Sequence, residues 1–367
     1  MGIWRSTLEN LAMTVDRNYW RGKKVFVTGH TGFKGSWLSI WLQDMGAQVT
    51  GYALPPPTHP SLFQLAAVEA LITSVIGDVR DARHFQATLN EAQPEVIFHM
   101  AAQSLVRESY QEPVETYEVN IMGTVHLLEA ARHCPSVQVV VNITSDKCYE
   151  NKERSSGYSE NEPMGGHDPY SSSKGCSELV TAAYRSSYLK KCGIAVATAR
   201  AGNVIGGGDW AEDRLIPDFF RALDAKETLL VRSPDAVRPW QHVLEPLSGY
   251  LQLAEHLSQD GAQYAEAWNF GPPDKGTQSV SWILDTLKEA NKAFTWKCDS
   301  EPKLHEARLL SLDSNKSRTK LGWSPSWSLE IALQKIIEWH EAYQANADVL
   351  DVTLQQIKAH QATGGIG

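Results

Sequence analysis

The stretch that most restricts what this chain can fold into is Thr28-Gly29-His30-Thr31-Gly32-Phe33-Lys34-Gly35. It lies between a β-branched apolar run, Lys24 to Thr28, and a helical pattern from Phe33 to Met45 that puts Trp37, Ile40, Trp41 and Met45 on one face. Glycines at this spacing let a chain turn tightly out of a strand and bring its backbone close to a pyrophosphate. The free N–H groups of the following helix then point at the charge. A plain tight turn is the competing reading, and the position of the triplet at the head of a strand–helix series favours the phosphate loop. A Walker-type loop is excluded because Lys34 precedes Gly35-Ser36, whereas that loop needs Gly-Lys-Ser/Thr in order. Gly29, Thr31, Gly32, Phe33, Lys34 and Gly35 are therefore candidate dinucleotide contacts.

The series continues with strands at Gln48–Leu54, Ile72–Gly77, Glu95–Met100, Gln138–Thr144 and Ala195–Arg200, and helices at about Pro113–His133 and Ser171–Lys191. Strands separated by helices of this size make right-handed βαβ units, and near-continuous apolar strands have both faces covered. The expected fold is α/β: a doubly wound, Rossmann-like parallel sheet over residues 19–201, after an N-terminal extension of residues 1–18. Beyond Ala201 the rhythm breaks at Gly206-Gly207-Gly208 and several prolines. A smaller mixed α/β lobe is expected over residues 202–345, partly interleaved with the first, with a helix from Leu329 to Tyr343. Residues 346–367 are read as a polar, loosely held tail.

The second strand ends Tyr52-Ala53-Leu54-Pro55, with no acid to hold a ribose 2′-hydroxyl and no arginine to accept a 2′-phosphate. NAD is favoured over NADP, and Asp78-Val79 after the third strand is the candidate adenine site. The formal charge of −9 argues against nucleic acid as the main partner. No apolar stretch is long enough to span a bilayer, and no signal-peptide h-region stands near the start. The Met1-Gly2…Ser6 myristoylation match is read as chance. The five cysteines are scattered, with no Cys-x-x-Cys, so reduced thiols, no metal site and a cytoplasmic setting are expected.

Tyr170-Ser171-Ser172-Ser173-Lys174 opens a helix, and a spacing of four puts the phenol and the ammonium on one face. A neighbouring ammonium lowers a phenol's pKa from its usual value near 10, which suits proton removal from an alcohol. The fifth strand runs into Thr144-Ser145-Asp146-Lys147-Cys148-Tyr149. Consecutive polar side chains at the ligand end of a parallel sheet are costly unless used.

Together with His99-Met100-Ala101-Ala102-Gln103 and Asn120 in Tyr117-Glu118-Val119-Asn120, these motifs resemble the extended short-chain dehydrogenase/reductase family. Within it, the Thr144–Tyr149 run, the stretch Arg200–Trp210 and Arg238-Pro239-Trp240-Gln241-His242-Val243 resemble the nucleotide-sugar 4,6-dehydratases that act on CDP-glucose. The resemblance runs from Tyr19 to Tyr343. It implies an internal NAD/NADH cycle in which Tyr170 takes the O4 proton with help from Ser145 and Lys174, Lys147 takes the C5 proton or stabilises the enolate, and Asp146 protonates the departing C6 hydroxyl. Lys147 stands where dTDP-glucose dehydratases carry a glutamate. The resemblance also places Ala101, Ala102, Gln103 and Asn120 on the cofactor, and Asn203, Arg214, Arg238 and Arg308 on the sugar nucleotide. It implies a homodimer or homotetramer making deoxysugars for surface polysaccharide.

Overall fold

The computed structural model describes residues 14–299 and 308–363. Its main sheet has seven parallel strands: β1 (Lys24–Thr28), β2 (Gln48–Ala53), β3 (Thr73–Ile76), β4 (Val96–His99), β5 (Val139–Ile143), β6 (Ala195–Ala201) and, from much later in the chain, β10 (Ala267–Phe270). They lie in the order β10-β6-β5-β4-β1-β2-β3. The strand order reverses between β1 and β4, which opens the crevice where such sheets bind ligands. Residues alternate between two cores. Val25 and Val27 of β1 join one buried cluster and Phe26 the other; Val139, Val141 and Ile143 of β5 face one side and Val140 the opposite.

The remaining strands form two small sheets on the ligand side. One is ordered β11 (Thr277–Ser279), β9 (Val237–His242), β7 (Asn203–Ile205); the other pairs β12 (Thr295–Cys298) with β8 (Thr228–Val231). A third core around Phe219, Ile283, Leu284, Leu287 and Ile336 lies beneath them.

Two elements differ from expectation. The helix anticipated over Pro113–His133 is interrupted by a π turn, Glu118–Met122, that contains Asn120. The supposed loose tail instead contains a helix, Val349–Thr363, with Val349, Thr353, Gln356, Ile357 and His360 buried along one stripe. Polar composition concealed it, because several inward residues are polar but bonded. Trp339 donates its indole N–H to Thr353 Oγ1 at 3.1 Å, Gln356 donates to the Lys335 carbonyl at 2.8 Å, and the His360 ring meets Trp41 edge-on at 5.8 Å.

Candidate active site

The switch point is pinned by one hydroxyl. Thr28 Oγ1, at the end of β1, accepts the N–H groups of Met100 and Ala101, each at 3.0 Å, and pairs with His99 Nδ1 at 2.8 Å. Burial pushes the His99 pKa down to about 3, so this link is neutral. The ends of β1 and β4 are thereby fixed at the spacing the glycine loop requires. Gly29 has φ +76°, and a Cβ there would lie 2.8 Å from Ala101 N; at Gly35 it would lie 2.0 Å from the Gly29 carbonyl. At Gly32 a Cβ would meet only that carbonyl, at 3.4 Å, so the space the loop encloses is kept open by the missing side chain. The helix Phe33–Asp44 begins without a side-chain cap on its N–H groups. Thr31 Oγ1 donates to the Leu54 carbonyl at 2.8 Å and ties the loop to the end of β2. These residues fit a dinucleotide pyrophosphate.

The loop opens into a cavity of about 1240 Å³. That exceeds the 300–1,000 Å³ or so of a single small-molecule site and leaves room for two ligands together. Gly29, Thr31, Gly32, Phe33, Lys34, Gly35, Asp78, Val79, Ala101, Ala102, Gln103, Ser145, Asp146, Lys147, Tyr170, Asn203, Arg214 and Arg238 all line it. Asp78 is paired with Arg80 at 2.6 Å.

Asn120 and Lys174 stand behind this lining. Asn120 Oδ1 accepts from Gln103 N at 3.0 Å, and its amide donates to the Gln103 carbonyl at 3.0 Å and Ser173 Oγ at 2.9 Å, so it braces the wall. Lys174 Nζ donates to the Ile143 carbonyl at 3.3 Å, and burial brings its pKa down to about 8. The expected lowering of the Tyr170 pKa by Lys174 is not seen in the protein alone. Burial pushes that phenol up to about 12, against a hydrogen bond with Ser145 and the charge of Arg214.

Ser145 caps the short turn Asp146–Cys148. Its hydroxyl donates to Asp146 Oδ1 at 3.0 Å and accepts the Lys147 N–H at 3.2 Å. Asp146 is 3% exposed, and its Oδ2 has no hydrogen-bond partner among the described residues. Burial raises its carboxyl above the usual range, against the opposing charges of Lys147 and Arg238.

Across the cavity, Arg214 bonds Asp209 and Ser104, each at 3.0 Å. Arg238 is buried on β9, with its guanidinium donating to the Val237 carbonyl at 2.9 Å and the Arg308 carbonyl at 3.2 Å. Arg308 is exposed and is not among the described residues that line the cavity; its carbonyl, which accepts from Arg238, also accepts from Val237 N at 2.8 Å.

Sequence reasoning passed over three features. The charge environment of Lys34, a candidate dinucleotide contact, is one: burial and the charges of Lys174 and Arg214 lower its pKa to about 8, and its Nζ sits 5.8 Å from the Tyr250 ring centre. Asp213, at φ +59°, joins Arg107 at 2.7 Å to Arg232 at 2.8 Å across the rim. Glu178 and Arg200 form a buried pair at 2.7 Å. The available signal for the last was that Glu178 lies one turn beyond Lys174 on the same helix face.

A family model described as GDP-mannose 4,6 dehydratase matches residues 26–336. The chain belongs to that family, within the extended short-chain dehydrogenases/reductases. A CDP-glucose 4,6-dehydratase of Salmonella typhimurium is 51% identical over 95% of this chain and 99% of its own length. A UDP-glucose 4-epimerase of Halalkalibacterium halodurans is 26% identical, covering 87% of this chain and 96% of its own. Among solved structures, a dTDP-glucose 4,6-dehydratase from Streptomyces venezuelae with NAD bound superposes with a TM-score of 0.73 at 26% identity, covering 89% of this chain and 99% of that one.

Proposed function

We propose that this protein is an NAD-dependent CDP-glucose 4,6-dehydratase, converting CDP-glucose to CDP-4-keto-6-deoxyglucose and water. The observation that carries the reading is the run Ser145-Asp146-Lys147 on one cavity wall with Tyr170. A 4-epimerase needs only the tyrosine. A dehydratase also needs a base one carbon further along the sugar, at C5, and an acid at C6.

The glycine loop, Ala101, Ala102 and Gln103 would hold the cofactor, whose nicotinamide supplies a hydride acceptor at C4 and a hydride donor at C6. Tyr170 receives the O4 proton while Ser145 polarises that oxygen. Oxidation makes the C5 hydrogen acidic. Lys147 takes that proton in its neutral form, or as a cation stabilises the enolate. Asp146 protonates the C6 hydroxyl as it leaves, a role suited to a carboxyl whose hold on a proton burial strengthens. Arg238 is the diphosphate partner, with a guanidinium fork suited to two oxygens, assisted by Asn203 and Arg214. Pairing of two copies is supported by Val114 at 69%, Leu179 at 61% and Met122 at 44% exposure, apolar residues that a second copy would cover.

The test is a panel of CDP-, dTDP-, UDP- and GDP-glucose given to the NAD-loaded protein, with products weighed by mass spectrometry. Loss of one water from CDP-glucose in preference to the others is expected. Inversion at C4 with no loss of water would replace the reading with an epimerase. In Lys147→Ala, reduced-nicotinamide absorbance should build up on adding CDP-glucose while solvent-deuterium exchange at C5 falls.

A further inference from the structure

The proposed dehydration has a proton balance that the separate residue roles leave open. Each turnover takes one proton from the sugar O4 and gives one to the C6 hydroxyl that departs as water. The C5 proton leaves and is replaced at the same carbon, so it cancels. If Tyr170 receives the first proton and Asp146 supplies the second, one cycle leaves the tyrosine one proton too rich and the aspartate one too poor.

Both groups are buried, Tyr170 at 8% and Asp146 at 3% exposure, so exchange with solvent is a poor way to restore them. Ser145 lies between them, itself buried. Its Oγ donates to Asp146 Oδ1 at 3.0 Å, and it stands on the same cavity wall as the Tyr170 phenol, whose upward shift it opposes. A hydroxyl has one donor and two acceptor positions: the donor goes to Asp146, the Lys147 N–H takes one lone pair, and the other is left to accept from the Tyr170 phenol. The free oxygen of Asp146, Oδ2, is committed to nothing else among the described residues.

We propose that Tyr170, Ser145 and Asp146 form one proton wire that carries the O4 proton to Asp146 and delivers it in the water expelled from C6. This rests on the dehydratase reading above. The resting state is phenol and carboxylate. As the C4 hydrogen leaves with its electron pair, the O4–H bond breaks and its proton moves to the Tyr170 oxygen. The tyrosine's proton moves to Ser145 Oγ, and the Ser145 proton moves to Asp146. The phenol and the serine end as they began, and Asp146 is now a carboxylic acid. When the C6–O bond breaks, Asp146 gives that proton to the departing hydroxyl and returns to carboxylate. No free phenolate has to form, which suits a phenol held near 12. Asp146 thus serves both halves of the reaction, as the final acceptor in oxidation and the acid in elimination.

The experiment uses the NAD-loaded protein and CDP-6-deoxyglucose, which can be oxidised at C4 but has no C6 hydroxyl to expel. In the parent, a carboxylic-acid C=O infrared band should grow in step with reduced-nicotinamide absorbance, because the stored proton cannot be discharged. The band should be missing in Asp146→Asn, and oxidation there should slow at least 10-fold although elimination is not being asked for. The parent rate should rise with pH as Asp146 ionises, and that limb should vanish in Asp146→Asn. Ser145→Ala should lose both signals, and Ser145→Thr, which keeps the hydroxyl, should recover them. Oxidation of the analogue at the parent rate by Asp146→Asn, with no band in the parent, overturns the wire while leaving the dehydratase reading intact. A parent that neither oxidises the analogue nor dehydrates CDP-glucose overturns both.

Discussion

Two buried polar clusters lie along one helix, Pro169–Ser187, and they have opposite characters. At its first turn, Tyr170 faces Ser145 and Asp146. Two turns on, Glu178 takes Arg200 Nε at 2.8 Å and Nη2 at 2.7 Å, Thr198 Oγ1 at 2.7 Å, and the Thr144 hydroxyl. Arg200 continues to the Tyr149 hydroxyl at 2.7 Å, which donates to Asn269 Oδ1 at 2.7 Å. In this second cluster burial alone would raise the Glu178 carboxyl, but the charge of Arg200 and the hydrogen bonds hold it below the usual range. In the first, burial prevails: Asp146 and Tyr170 are raised, and Lys174 and Lys34 are lowered. Equal burial therefore gives a closed network that fixes the fold and an open one whose unspent electrostatics are available to a ligand.

The sharpest way to break this contrast is to remove one member from each cluster. Tyr170→Phe keeps the shape and deletes the proton path, so C4 oxidation in a single turnover should fall about 100- to 10,000-fold, or roughly 3–5 kcal/mol of barrier. The thermal midpoint should stay near that of the parent. Glu178→Ala should do the reverse. Arg200 would be left buried without its counter-charge, at a cost of about 3–5 kcal/mol in folding stability by urea denaturation. If Tyr170→Phe unfolded the protein and Glu178→Ala left its stability untouched, the assignment of structural and chemical roles would have to be exchanged.

The same contrast explains what was legible in the sequence. The order of β1 to β6, the glycine loop and the Ser145–Lys147 run were readable because local patterns specify them: alternation into two cores, a strand-to-helix turn, a polar burst after an apolar strand. β10 was not, because its place beside β6 is a long-range pairing with no local signature. The Val349–Thr363 helix was missed for a related reason. Thr353, Gln356 and His360 count as solvent-facing by composition and are buried because they meet partners elsewhere in the chain. Arg308 stands outside the described cavity lining, since a motif match shows that an arginine is present but not which way it points. The direction of the Tyr170 shift was misjudged because spacing brings Lys174 near, while the depth of burial is set by the whole fold.

A third buried carboxyl, Glu255, tests the rule between the two extremes. Its Oε1 accepts the Trp20 indole N–H at 2.6 Å and the Asp16 N–H at 3.0 Å, but no cation is paired with it among the described residues. Burial raises its pKa to about 7, with the two hydrogen bonds opposing. The unfolded chain titrates near 4.5, so between those values the folded state binds the extra proton. Its contribution to stability is complete below about pH 4.5 and is lost as pH rises through about 7. Above that, the ionised form is a standing cost on the order of 3 kcal/mol. Glu255→Gln keeps an acceptor for both N–H donors and removes the charge. Its stability should exceed the parent's at pH 8 by about 1–3 kcal/mol, and the two should converge toward pH 4.5, as read by urea denaturation at each pH. A constant difference across that range would mean that hydrogen bonds alone close the Glu255 site, and that a cation partner is not what separates Glu178 from Asp146.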